Sequence, residues 1–122
     1  MKEIQETHQK KGVVSSDEYY TPLHIIKALG HFDLDPATPP NPRWQTADVM
    51  YTKNDDGLSK EWFGRVFLNP PYSKPLVNQF MEKMAIHGNG IALIVPKLGT
   101  KMFRDIIYPN CSAIYILQER IK

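Results

Sequence analysis

At 122 residues, 42% of them apolar, the chain is sized for one domain with its own core, and its composition is ordinary for a soluble globular protein. A net charge of +2 and a pI near 8.6 admit a nucleic-acid partner without the basic excess that would mark one. The lone cysteine, Cys111, excludes an intrachain disulfide and fits a reducing cytoplasm; no apolar run is long enough to span a membrane, and residues 1–12 show no signal-peptide core.

Residues 1–16 are polar, carry Lys2, Lys10 and Lys11, and read as a flexible tail; residues 17–122 read as the folded domain. Thr21-Pro22 is a helix-start signal, with Thr21 as N-cap and Pro22 at the first helical position. Leu23, Ile26 and Leu29 then mark one helical face, and Gly30 stops the helix. Phe32 and Leu34 alternate with acids, so a short strand ends at Asp35, where Pro36 breaks it. Val49-Met50-Tyr51 is a short strand, and Asn54-Asp55-Asp56-Gly57-Leu58 a loop by composition.

Val66-Phe67-Leu68 is a buried-strand run that meets Asn69-Pro70-Pro71-Tyr72. Each proline removes a ladder donor and fixes φ, so the strand stops in a stiff loop at its carboxyl end, where open α/β sheets place ligands. Pro75 opens a helix in which Leu76, Phe80 and Met84 form a stripe with Val77 and Met81 beside it; Gly88 and Gly90 end it. A buried strand follows at 91–95 and stops at Pro96. Thr100 caps a further helix with Met102, Phe103, Ile106 and Ile107 apolar, and 113–117 is the last strand, with Cys111 packed just before it. Strands alternating with helices define an α/β fold with a mostly parallel sheet. The four histidines show no metal-ligand spacing and read as surface or satisfied side chains, so no metal is expected.

The loop after the third strand has a chemistry of its own. The Asn69 side-chain carbonyl and the Pro70 backbone carbonyl are two acceptors on a constrained chain. Together they suit an exocyclic NH2, favouring a pyramidal nitrogen whose lone pair points outward, while Tyr72 can stack on a planar ring. This is catalysis by positioning and electrostatics, with little need for a strong base.

Asn69-Pro70-Pro71-Tyr72 resembles the amine-binding motif of S-adenosylmethionine-dependent amino-methyltransferases, which modify adenine N6, cytosine N4 or a glutamine amide. Three other stretches resemble cofactor motifs of the same enzymes. Tyr20-Thr21-Pro22 is similar to the N-terminal cofactor contact of adenine methyltransferases. Asp35-Pro36-Ala37 is similar to the acid-Pro-small motif, although Thr38-Pro39-Pro40-Asn41-Pro42 stands where glycines are usual. Asp56-Gly57-Leu58, followed by Trp62, resembles the segment whose acid contacts the cofactor's adenine, with Asp55 as the alternative to Asp56.

Their order and compact spacing over residues 17–122 resemble the Dam-like phage family of DNA N6-adenine methyltransferases. The resemblance implies a Rossmann-like sheet, S-adenosylmethionine as cofactor, and DNA as partner with the target adenine flipped out of the duplex. It also implies a phage or prophage origin and the cytoplasm of a bacterial host. Asp35 would accept hydrogen bonds from the methionine end of the cofactor; the ribose ligand is unassigned, with Asp48 a weak candidate. Members of the family continue beyond Arg120-Ile121-Lys122, so the C-terminal part of the fold is expected to be missing. An unpaired sheet edge, self-association and low turnover are the expected consequences. Two alternatives stand beside this reading: transfer to another amine, in RNA adenine or protein glutamine, and an inactive pseudo-enzyme that binds cofactor or DNA.

Overall fold

The structure is a computed structural model that describes residues 21–73, 75–94 and 100–115. Helix α1 (Leu23–Leu29) leads into strand β1 (Leu34–Asp35), then β2 (Val49–Met50), a 3-10 turn (Lys53–Asp55) and β3 (Val66–Leu68). Helix α2 (Leu76–His87) and strand β4 (Gly90–Ala92) follow, and a helical stretch over 101–110 includes the π-helical turn Phe103–Ile107 and α3 (Tyr108–Asn110). The strands form one sheet in the order β2-β1-β3-β4, parallel at every pairing. Leu34 pairs with Val49 on one side and Val66 on the other, and Val66, Phe67 and Leu68 pair with Gly90, Ile91 and Ala92. This is the α/β architecture that alternating strand and helix patterns imply.

Alternation along β3 divides the core. Val66 and Leu68 join Leu34 and α2 residues Val77, Phe80, Met81 and Met84 in one cluster; Phe67 joins Ile26 of α1, Phe32, Ala47 and Leu93 in the other. Successive strand side chains point to opposite faces, so helices cover both sides of the sheet. All of Val66, Phe67 and Leu68 are fully buried, as a central parallel strand requires. Helix α2 ends at Gly88, whose positive φ of 72° lets its N–H reach back to Met84 O at 2.9 Å.

Arg65 closes the amino end of the sheet. Its backbone N–H donates to Asp33 Oδ2 at 2.7 Å, its guanidinium donates to the carbonyls of His31 (2.7 Å) and Leu29 (2.9 Å), and it lies 4.3 Å from the centre of the Phe32 ring. His31 and Asp48 meet nearby at 2.9 Å, with Asp33 Oδ1 3.9 Å from the other ring nitrogen. Tertiary folding thus gathers a His-Asp-Asp cluster that sequence spacing did not show.

The structure corrects several expectations. Thr21 does not cap α1: the N-cap is Pro22, with no side-chain cap bond. Of the face marked by Leu23, Ile26 and Leu29, only Ile26 is buried, packed with Phe32, Ala47, Phe67 and Leu93; Leu29 is half-buried against that cluster and Leu23 is exposed. Strand β4 begins a residue early and ends at Ala92, although Leu93 N still donates to Leu68 O at 2.8 Å; Val95 and Pro96 lie outside the described residues. Thr100 does cap its helix, its hydroxyl accepting Phe103 N–H at 3.3 Å. The strand expected over 113–117 shows no ladder in 113–115, where among the described residues no neighbouring strand supplies partners; 116 and 117 lie outside the described residues. Cys111 is half-buried beside Tyr108 O and belongs to neither core cluster.

Candidate active site

The chain runs from β1 to β2 on one side of the sheet and crosses to β3 on the other. The carboxyl ends of β1 and β3 therefore flank the point where strand order reverses, the place where open parallel sheets form a crevice. Asp35 ends β1, and Asn69 follows β3 directly. Both line one narrow crevice with Thr21, Ala37, Trp44 and Thr46. Its free volume is about 10 Å³, room for a single water.

Asp35 is 2% exposed. Its Oδ1 accepts Ala37 N–H at 3.1 Å, the Thr46 hydroxyl donates to Oδ2, and the Thr38 hydroxyl donates to its backbone carbonyl at 3.1 Å. Burial pushes its carboxyl up to about 6, against the downward pull of the donors from Thr46, Ala37 and Thr38. Among the described residues no cationic side chain contributes to that balance. A buried carboxylate held by neutral donors alone is short of positive charge, and a ligand cation at the crevice would supply it.

The loop carrying Asp56 packs directly on this turn. A Cβ added at Gly57 would lie 1.9 Å from Pro36 O, so only glycine admits the approach. Trp62 Nε1 donates to Gly57 O at 2.8 Å, and Lys83 of α2 donates to Leu58 O at 2.8 Å while lying 5.4 Å from the Trp62 ring centre. Asp55 and Asp56 differ in what they offer. Asp55 Oδ2 accepts the Thr52 backbone N–H at 2.8 Å and the Thr52 hydroxyl at 3.2 Å, closing its own turn. Asp56 takes a left-handed φ of 56° and is exposed. Leu58, Ala37 and Tyr72 all pack against the α2-side core cluster.

At the other rim, Pro70 is fully buried and Pro71 and Tyr72 are half-buried. Asn69 Nδ2 donates to Thr21 Oγ1 at 3.1 Å, and Trp44 Nε1 donates to Thr21 O at 2.8 Å. Pro22 is buried beside them, while Tyr20 lies outside the described residues. The structure thus brings Thr21, Asp35, Ala37 and Asn69 into one crevice and stacks Gly57 on Pro36. Asp48 does not join them; it stands at the amino end of β2, bound to His31. Sequence reasoning missed Trp44 and Thr46. Neither sits in a motif, and both are found only through the partners they hold.

The fold is that of an α/β protein with a crevice at the carboxyl ends of parallel strands. The chain belongs to the DNA N-6-adenine-methyltransferase (Dam) family, whose model matches residues 7–122. A DNA N-6-adenine-methyltransferase of Escherichia phage T1 is 34% identical over 89 residues, which is 66% of this chain and 36% of the phage protein. The chain therefore spans about 36% of that relative's length. No solved structure matches it.

Proposed function

We propose that the chain carries the catalytic core of an S-adenosylmethionine-dependent methyltransferase, of Rossmann-like type, that acts on adenine N6 in DNA. Membership of the Dam family supports the reaction class. The observation that carries the reading is the placing of Asn69 and Asp35 at adjacent strand ends in one crevice. S-adenosylmethionine, when bound, supplies an electrophilic methyl group on a sulfonium. The residues fit such a group, since the buried Asp35 carboxylate is short of a cation and the cofactor carries two positive centres. Asp35, Pro36 and Ala37 form the turn that would receive its methionine end. Asp56, Gly57 and Leu58 would face its adenine, with Gly57 close against Pro36, and the Tyr20-Thr21-Pro22 motif would supply a further cofactor contact.

On the acceptor side, Asn69 and Pro70 offer carbonyl oxygens to the adenine NH2, Pro71 keeps the loop rigid, and Tyr72 stacks on the base, flipped from the duplex. Held by these acceptors, the N6 lone pair would be turned toward the methyl group that the cofactor would supply, and the N6 proton would pass to water. The partners of this reading are DNA and, through the sheet edge at β4, a second copy of the chain. A bacterial cytoplasm is its setting; among the described residues no helix is long and apolar enough to cross a membrane.

The test is transfer of labelled methyl from S-adenosylmethionine to unmethylated DNA, with the modified base mapped. Asn69→Ala is expected to abolish transfer while cofactor affinity stays nearly intact. Near-normal turnover in that variant, at equal folding, would rule out the role. Label appearing in RNA or protein instead would redirect the substrate, and cofactor binding without transfer to any of them would make the chain a binding module.

A further inference from the structure

Thr21 has the sequence position of a helix cap and does not act as one: α1 is capped at Pro22 without a side-chain bond. Its hydroxyl instead accepts the Asn69 amide N–H at 3.1 Å, across 48 residues of sequence. Thr21 is 5% exposed, and its backbone carbonyl takes the Trp44 indole N–H at 2.8 Å. The acceptor is therefore fixed in place from its own backbone.

The consequence concerns the polarity of the amide. A side-chain amide has a donor end and an acceptor end of nearly equal shape, and a half-turn about its terminal torsion exchanges them. With the nitrogen on Thr21, the Asn69 oxygen is the end left for the crevice; among the described residues it accepts no hydrogen bond. The hydroxyl can donate to a reversed amide as well as accept from this one, so it anchors the amide, and the end presented matters to the base: reversed, an NH2 would face the NH2 of the target base, donor against donor. We infer that the Thr21 hydroxyl is the positioning group that anchors the Asn69 amide in the crevice, in the orientation that leaves its carbonyl oxygen toward the methyl acceptor. The inference rests on the transfer reading above. It assigns the Thr21 hydroxyl to the acceptor side of the reaction and away from the cofactor.

Two substitutions separate this role from packing. Thr21→Val keeps the shape and removes the hydroxyl; Thr21→Ser keeps the hydroxyl and removes the methyl. Turnover is measured with labelled S-adenosylmethionine and unmethylated DNA, and cofactor affinity by calorimetry. Thr21→Val should lower kcat by roughly 10- to 100-fold, the usual range for a lost hydrogen bond that orients a reacting group. Cofactor Kd should stay within about threefold, and Thr21→Ser should recover most of the rate. A Thr21→Val enzyme with normal kcat overturns the inference. So does an equal loss in kcat and cofactor affinity, which returns Thr21 to the cofactor, or a Thr21→Ser variant as slow as Thr21→Val, which makes the methyl the working part.

The Asn69 side-chain NH2 resonances, identified by their loss in Asn69→Ala, report the bond without turnover. They should shift and lose exchange protection in Thr21→Val and return in Thr21→Ser. A wild-type protein inactive on every DNA, with those resonances responding as stated, would sink the transfer reading and the positioning role with it. Resonances indifferent to Thr21 would sink the inference alone.

Discussion

Among the described residues, Asp35 is the most deeply buried polar side chain. Its carboxyl sits at about 6 in the fold against an ordinary 3.8, because burial outweighs the bonds from Thr46, Ala37 and Thr38. Between those two values the folded chain holds a proton that the unfolded chain has released, so stability falls as pH rises through the window. The loss amounts to about 3 kcal/mol and is complete above pH 6. Asp35→Asn removes the charge and keeps the size. Its melting temperature is expected to exceed that of the wild type at pH 7.5, and the difference should vanish near pH 4. The same variant should bind S-adenosylmethionine about 1–3 kcal/mol more weakly, through loss of a charge-assisted contact. Parallel melting profiles across pH would show that Asp35 carries no buried charge. A residue that destabilises the free protein and strengthens its complex is what a binding site for a cationic ligand requires.

At the scale of elements, the site is made by segments that cover one another. The Gly57 loop lies on the Pro36 turn so closely that Gly57→Ala must displace backbone. That variant is expected to lose about 1–3 kcal/mol of stability, the usual cost of overpacking, and to lose cofactor affinity as well. Thermal melts and a cofactor titration would show both, and unchanged values would mean that the two loops part easily. The segment over residues 38–44 borders the crevice with Thr38, Pro39, Pro42, Arg43 and Trp44, and Asn41 within it holds a left-handed φ of 52°. A crevice of about 10 Å³ is too small for such a cofactor, so binding there would require a wall to move, and residues 38–44 supply much of that wall. Hydrogen exchange at Asn41, Arg43 and Trp44 should therefore change on addition of S-adenosylmethionine. Unaltered exchange there, with binding confirmed, would place the cofactor elsewhere.

For the whole molecule, the sheet edge at β4 is the feature with consequences. Strand β4 pairs with β3 on one side, and among the described residues no strand lies on the other. Beside it runs a groove of about 370 Å³, bordered by Ile91, Ala92, Ile94, Phe103, Ile106 and Ile107. A strand edge next to apolar side chains is a template for another chain. The expected outcome is self-association that rises with protein concentration, read by size-exclusion chromatography with light scattering. A monodisperse monomer with a cooperative, high-temperature melt would show that the edge is not adhesive.

The sequence by itself determined the elements whose causes are local. Prolines ended β1 and β3 at Asp35 and Leu68, Gly30 and Gly88 ended the two main helices, and three adjacent apolar residues marked β3 as a buried central strand. The runs 35–37, 56–58 and 69–72 stood out in the sequence for the same reason, since each is a short run at an element's end. Tertiary structure alone decided the rest. It turned the Thr21 hydroxyl from a cap into a partner of Asn69, because a side chain buried at a crevice answers to its neighbours in space. It raised Asp35 by removing water, and it recruited Trp44 and Thr46, which carry no motif. It also left 113–115 without a ladder, since strand propensity is expressed only where a neighbouring strand offers partners. Backbone punctuation is written in single residues, whereas burial and the choice of hydrogen-bond partner belong to pairs that only the folded chain brings together.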